Sequence, residues 1–140
     1  MTERAATVHY FLDTLPHFLG YFAIAALLGA LFLVAFQAIT PQKEFALIRE
    51  GKLAPAISLV GAFVGFAIPM AVVVGHSANF TDVILWGLTA LVVQVIAFFI
   101  VEKAFGRISA RISDNCYASG VFLGGIAIGV GILQAGCMVP

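Results

Sequence analysis

Residues 18–39, 53–75 and 117–138 contain no charged side chain, and a fourth stretch, 81–101, carries a single acid, Asp82, at its edge. Each run matches the ~20 apolar residues that a helix needs to cross the hydrocarbon of a bilayer. In that medium every backbone N–H and C=O must be bonded within its own segment, so four such runs dictate four helices rather than strands or loops. Apolar residues make up 62% of the chain and charged ones 10%, where a soluble domain has about a quarter of its residues charged. The fold class that follows is an all-α integral membrane protein in one membrane domain, with the lipid bilayer as its first partner. Seven acids balance seven bases. No basic excess is left to hold a phosphodiester backbone, which excludes nucleic acid as a partner.

The chain also contains one stretch twice. A shift of 64 positions lays Ala54, Leu59, Gly61, Gly65, Ile68 and Ala71 on Ala118, Leu123, Gly125, Gly129, Ile132 and Ala135 without a gap. Glu50 then falls on Asp114, Ile57 on Val121, and upstream Ala26-Leu27 on Ala90-Leu91. This reads as a tandem duplication in which each copy is two apolar segments joined by a charged loop. The divisions are an N-terminal segment (1–17), a first two-helix repeat (18–75) and a second (76–140).

Within residues 1–17, Val8, Phe11, Leu12 and Leu15 recur at helical spacing, the pattern of a short amphipathic helix in the membrane interface that Pro16 breaks. His9, Asp13 and His17 share its other face and are read as headgroup-facing rather than as metal ligands. Thr40-Pro41 ends the first span and is expected to open a short helical turn, Thr as cap and Pro in the first helical position. Pro69 lies deep in the second span, where it is expected to kink the helix. Residues 102–114, EKAFGRISARISD, keep a helical rhythm, so the third span and the loop after it read as one continuous helix. Lys103, Arg107 and Arg111 form a basic stripe there, suited to the membrane surface and to anionic lipid headgroups. Six of the seven bases lie in two loops, with Lys43, Arg49 and Lys52 in the other, and Arg4 alone lies apart. By the positive-inside rule both loops are cytoplasmic and both termini outside. Cys116 and Cys137 sit at opposite ends of the fourth span, too far apart to pair.

Small residues four apart let membrane helices approach closely. Gly61-x-x-x-Gly65 in the second span, and Gly120-x-x-x-Gly124 and Gly125-x-x-x-Gly129 in the fourth, mark these spans as packing at the centre, against each other or between copies in a homo-oligomer. No Asp, Glu, Lys or Arg lies well inside any span, so the usual mark of a proton relay or coupled-ion site is missing. The embedded polar groups are Gln94, Thr89 and Ser58, with Gln37 and Gln134 nearer the ends. Gln94 is read first as a hydrogen bond to a neighbouring helix and second as part of a pore or pocket. No HExxH, nucleophile pair or phosphate-cradling loop is present. The residues therefore imply no cofactor and no catalytic machinery. The equivalent pairs Glu50-Gly51 and Asp114-Asn115 each precede a span; they are the candidate loop site, with helix capping as the plainer role.

Thr40, Pro41 and Glu44, Leu47-Ile48, Glu50-Gly51, Ala54 and the Gly61/Gly65 span ending in Ile68-Pro69 resemble the YjfL-like bacterial inner-membrane proteins, the family called domain of unknown function 350. In the second copy the resemblance rests on Ile112, Asp114-Asn115, Ala118 and the Gly125/Gly129 span, and it covers nearly all of residues 20–138. Lys52 departs from it, standing where a small polar residue such as Asn is expected. The resemblance implies a small multi-pass protein of a bacterial plasma membrane and no established activity. Three function classes follow: a structural or regulatory component that assembles with itself or a membrane-protein partner; an oligomeric channel or transporter for a small solute or ion; and an enzyme acting on lipid where Glu44, Glu50, Glu102 and Asp114 meet the basic residues. The first is the reading preferred.

Overall fold

The computed structural model describes residues 2–41 and 43–138; Met1, Gln42, Val139 and Pro140 lie outside the described residues. The chain folds as α1 (Thr2–Ile39), α2 (Glu44–Arg49), α3 (Leu53–His76), α4 (Phe80–Phe105), α5 (Ile108–Ser113) and α6 (Tyr117–Met138). Four of these, α1, α3, α4 and α6, are long and apolar enough to cross a membrane, and no strand occurs among the described residues. The short helices α2 and α5 sit in the two charged connections. The step from α2 to α5 is 64 residues, from Glu44 to Ile108, and so is the step from α3 to α6, from Leu53 to Tyr117.

Three local expectations change. Pro16 does not break the chain into two helices, since α1 runs through it for 38 residues. At 1.5 Å per residue that is about 57 Å, nearly twice a hydrocarbon core of about 30 Å. Residues 2–14, well before the first contact of α1 with the rest of the bundle, are exposed throughout. The 64-residue step carries Phe80, the first residue of α4, onto Pro16. In α1 itself Pro16 is interior: residues 2–15 extend the helix backwards past it, and the carbonyl of Leu12 one turn back goes without its usual amide donor.

Nor does α4 continue into α5. It stops at Phe105 because Gly106 and Arg107 both take left-handed backbone angles, φ 49° and 59°, a conformation that L-residues other than Gly, Asn and Asp rarely adopt. The helical rhythm of residues 102–114 is real on either side of that break. The third change is at Thr40, which closes α1 rather than opening α2: its amide and its Oγ1 both donate to the Phe36 carbonyl, at 3.0 and 2.8 Å. The short helix begins instead at Glu44, with Lys43 as its N-cap residue. At the opposite end of the molecule Asn79 caps α4 in the ordinary way, Oδ1 accepting from the Asp82 amide at 2.9 Å.

The most deeply buried helix is α3. Phe66 stacks on Phe32 of α1, ring centroids 4.7 Å apart, and Phe36 meets Phe98 of α4 edge to face at 5.6 Å, so aromatic rings fill the space between α1, α3 and α4. The contact between α3 and α6 is the most extensive in the molecule and is built on backbone proximity instead. Gly61 lies against Gly124, Gly120 against the Ala54 carbonyl, and Gly65 against the Ala127 carbonyl. Pro69 has no N–H to offer the Gly65 carbonyl one turn back, and Gly131 of α6 closes on that oxygen. The proline in the span is therefore matched by a glycine on the neighbouring helix, where a side chain would hold the two backbones apart.

Candidate functional site

The two charged turns meet at one end of the bundle. Each short helix ends in the same hydrogen-bond pattern. In the first, the Gly51 amide donates to Ile48 and the Lys52 amide to Leu47; in the second, Asn115 donates to Ile112 and Cys116 to Arg111. This is a Schellman ending, in which the residue after the cap must be left-handed. Gly51 and Asn115 hold that place with φ 85° and 63°. The candidate pairs Glu50-Gly51 and Asp114-Asn115 thus terminate α2 and α5. The Glu50 and Asp114 side chains are exposed.

The capping group of the next helix comes from across the molecule. Asn115 Oδ1 accepts the Ala54 amide in the first turn of α3 at 2.9 Å. In return Lys52 Nζ donates to the Ser113 carbonyl at the end of α5 at 3.0 Å. Lys52 therefore has a structural partner, and Asn115 does two jobs, one with its backbone and one with its side chain. Gly51 has no side chain with which to reciprocate. At the N-terminus of α6 the capping position is held by Cys116, whose sulfur accepts from Ser119 Oγ at 3.5 Å. That bond, backbone hydrogen bonds from Ser119 and Ala118, and the charge of Arg111 hold the thiol pKa below its ordinary value. Sequence reasoning missed this clasp, although the exchange of Gly for Asn at equivalent positions, the two residue types that accept a left-handed backbone, was its visible signal.

Beside the clasp lies the α4–α5 bend. Glu102 Oε2 accepts from the Ser109 amide at 3.1 Å and from Ser109 Oγ at 2.7 Å, bracing α5 against the end of α4. Lys103, Arg107 and Arg111 are exposed around the bend. Among the described residues no group of three or more His, Cys, Asp and Glu side chains is placed to hold a metal ion.

The embedded polar residues do not converge. Gln94 is buried, and its Nε2 donates to the Ala127 carbonyl of α6 at 3.1 Å. Thr89 is exposed on the outer side of α4 and returns its hydroxyl proton to the Leu85 carbonyl at 2.9 Å. Ser58 is fully buried in α3, its Oγ without a partner among the described residues. The six glycines also divide. Gly61, Gly65, Gly120 and Gly124 are buried in the α3–α6 contact, whereas Gly125 and Gly129 are exposed with no atom within 4 Å of where a Cβ would stand. Gly125 borders an open apolar groove of about 490 Å³ between α3 and α6, walled by Ala56, Ile57, Val60, Val121 and Ile128.

The sequence matches the family model described as Domain of Unknown Function (DUF350) over residues 10–138. The inner membrane protein YjfL of Escherichia coli K12, of the group UPF0719, is 32% identical over 129 residues, covering 92% of this chain and 98% of that protein. The transmembrane protein YshE of Bacillus subtilis 168, of the same group, is 28% identical over 118 residues, 83% of this chain and 88% of that protein. No solved structure matches. With nearly its whole length inside the family model, and with four membrane-length helices, the chain belongs to the DUF350 family of membrane proteins.

Proposed function

We propose that the protein is a structural or regulatory component of the bacterial plasma membrane that works by assembling with copies of itself and catalyses no reaction of its own. The observation that carries this reading is the outward face of α6. Gly125 and Gly129 occupy the positions that Gly61 and Gly65 occupy in α3, one 64-residue step earlier, and in α3 that face is covered by a helix of the same chain. The equivalent face of α6 is bare and borders an apolar groove. A helix of a second copy would find there the close backbone approach that favours association in lipid. The equal steps between short helices and between spans support an origin by tandem duplication. Both basic turns lie at one end of the bundle, joined by the Lys52 and Asn115 contacts, which supports a cytoplasmic location for that end and an outside location for both termini.

Oxidative cross-linking in native membranes tests the reading. In a Cys116→Ser, Cys137→Ser background, Gly129→Cys should yield a disulfide-linked dimer, whereas Thr89→Cys, on the outer side of α4, should not. Monomer at both positions would count against self-assembly through α6. The channel reading draws less support, because the amide of Gln94 is engaged by Ala127 inside a single chain. Flux through reconstituted liposomes, above that of empty vesicles and weakened by Gln94→Leu, would restore it.

A further inference from the structure

We infer that the α4–α5 bend is a binding site for one anionic phospholipid, its phosphate held by Lys103, Arg107 and Arg111 and an acyl chain lying over Phe105 and Phe122. The inference is independent of how copies associate.

Topology alone does not account for these cations. Each charged turn carries three bases, which satisfies the positive-inside rule equally in both. Their placement differs. One 64-residue step before Lys103, Arg107 and Arg111 stand Ile39, Lys43 and Leu47, so only one of the three positions is basic in the first turn. There Lys52 is committed to the Ser113 carbonyl. In the second turn the bases gather around one bend: Lys103 in the last turn of α4, Arg107 as the N-cap residue of α5 and Arg111 in its last turn. All three are exposed, and among the described residues none of them donates a side-chain hydrogen bond or enters an ion pair. Against them stand two acids, Glu102, which accepts from Ser109, and the exposed Asp114, so three bases over two acids leave the bend with a net positive charge.

The backbone points the same way. Arg107 has φ 59°, a left-handed conformation that costs a β-carbon-bearing residue free energy and that Gly or Asn would adopt more readily. The arginine places a guanidinium at the bend, and its fork matches the oxygens of a phosphate. Between Lys103 and Arg107 in the chain stands an exposed apolar side chain. Phe105 is 55% exposed and meets Phe122 of α6 edge to face at 4.7 Å. Exposed cations and an exposed aromatic pair at the end of one membrane-length helix complement a phosphate headgroup and its acyl chain. A free phosphate ion would use only the cationic part of that surface.

Native mass spectrometry of the full chain, released from micelles containing equal amounts of phosphatidylglycerol and phosphatidylcholine, tests the inference. The wild-type protein should retain phosphatidylglycerol in preference to phosphatidylcholine. The triple variant Lys103→Gln/Arg107→Gln/Arg111→Gln should lose that preference by about tenfold or more, while Lys43→Gln/Arg49→Gln, which removes charge from the other turn, should keep it within about twofold. Arg107→Gly guards against misfolding: it relieves the left-handed strain, so it should melt no lower than wild type yet bind phosphatidylglycerol about fivefold more weakly. Equal losses in the triple and the control variants would mean diffuse charge and overturn the site. Unchanged retention in Arg107→Gly at wild-type stability would do the same. So would displacement of the lipid by millimolar inorganic phosphate, which would identify a soluble anion as the ligand.

Discussion

Gln94 of α4 and Ala127 of α6 are joined by a hydrogen bond of 3.1 Å from the Gln94 Nε2 to a main-chain oxygen, and Gly65 of α3 closes on that same oxygen from the other side. Three helices thus converge on one carbonyl in the middle of the bundle. Replacing Gln94 by Leu keeps much of the volume and removes the bond, so the variant should fold and lose about 0.5–2 kcal/mol of stability. Unfolding of the purified protein in mixed micelles measures this. A variant as stable as wild type would show that the amide contributes only packing.

Leucine at Gly65 and at Gly129 should have opposite consequences. At Gly65 a side chain would be driven into the Ala127 carbonyl and the adjoining backbone, which has no rotamer by which to escape, so the cost should exceed the roughly 1–3 kcal/mol of ordinary overpacking and the protein should fail to accumulate. At Gly129 the side chain enters open space, so the melting temperature of the dispersed monomer should stay near wild type. Only association should change. A Gly129→Leu protein that cannot be recovered would place that face in an intramolecular contact.

Asn115 separates its two jobs by mutation. Asn115→Gly keeps the left-handed turn and removes the cap on Ala54, and should cost about 1 kcal/mol. Asn115→Ala removes the cap and adds left-handed strain of roughly 1–2 kcal/mol, so it should be clearly the worse of the two. Gly51→Asn should be tolerated. Thermal melts of the three proteins in one detergent decide it, and equal losses for Gly and Ala at position 115 would mean that the cap alone matters.

The number and order of the spans were legible because bilayer thickness and the ban on unpaired backbone leave one solution for an uncharged run of that length. Gly61 and Gly65 stood out in the sequence for a similar reason, since small residues have a clear use in lipid. What was hidden depended on partners distant in sequence. Asn115 and Lys52 could be seen as turn residues, yet the atoms they bind lie 61 positions away. Gly131, which closes on the carbonyl left by Pro69, was one glycine among several until the register of α3 against α6 was known. The α4–α5 break failed for another reason: periodicity is preserved across residues 102–114, and the two left-handed residues that interrupt it include an arginine, a type that gives no local warning. The continuous α1 misled in the opposite sense, because Pro16 is a breaker by type and yet stands in the interior of the helix.

Cys116 supplies a prediction in pH. Its thiol pKa is lowered by the Ser119 hydroxyl first and the Ser119 backbone hydrogen bond second; desolvation opposes them, and Ala118 and the charge of Arg111 add smaller lowering effects. The thiolate is the reactive form, so alkylation of Cys116 by iodoacetamide should rise with pH at a midpoint below that of the same cysteine in the unfolded chain. Ser119→Ala should move the midpoint upward. The linkage has a definite sign: with the folded pKa lowered below the unfolded one, ionisation of Cys116 favours the folded state above the unfolded pKa, and that contribution is lost as pH falls through the folded pKa. The residue is half-buried, and the kinetic midpoint of its alkylation is the direct readout. Measured in a Cys137→Ser background, a midpoint equal to that of the unfolded chain, or one indifferent to Ser119→Ala, would remove Ser119 as the cause and leave the sulfur an ordinary surface thiol.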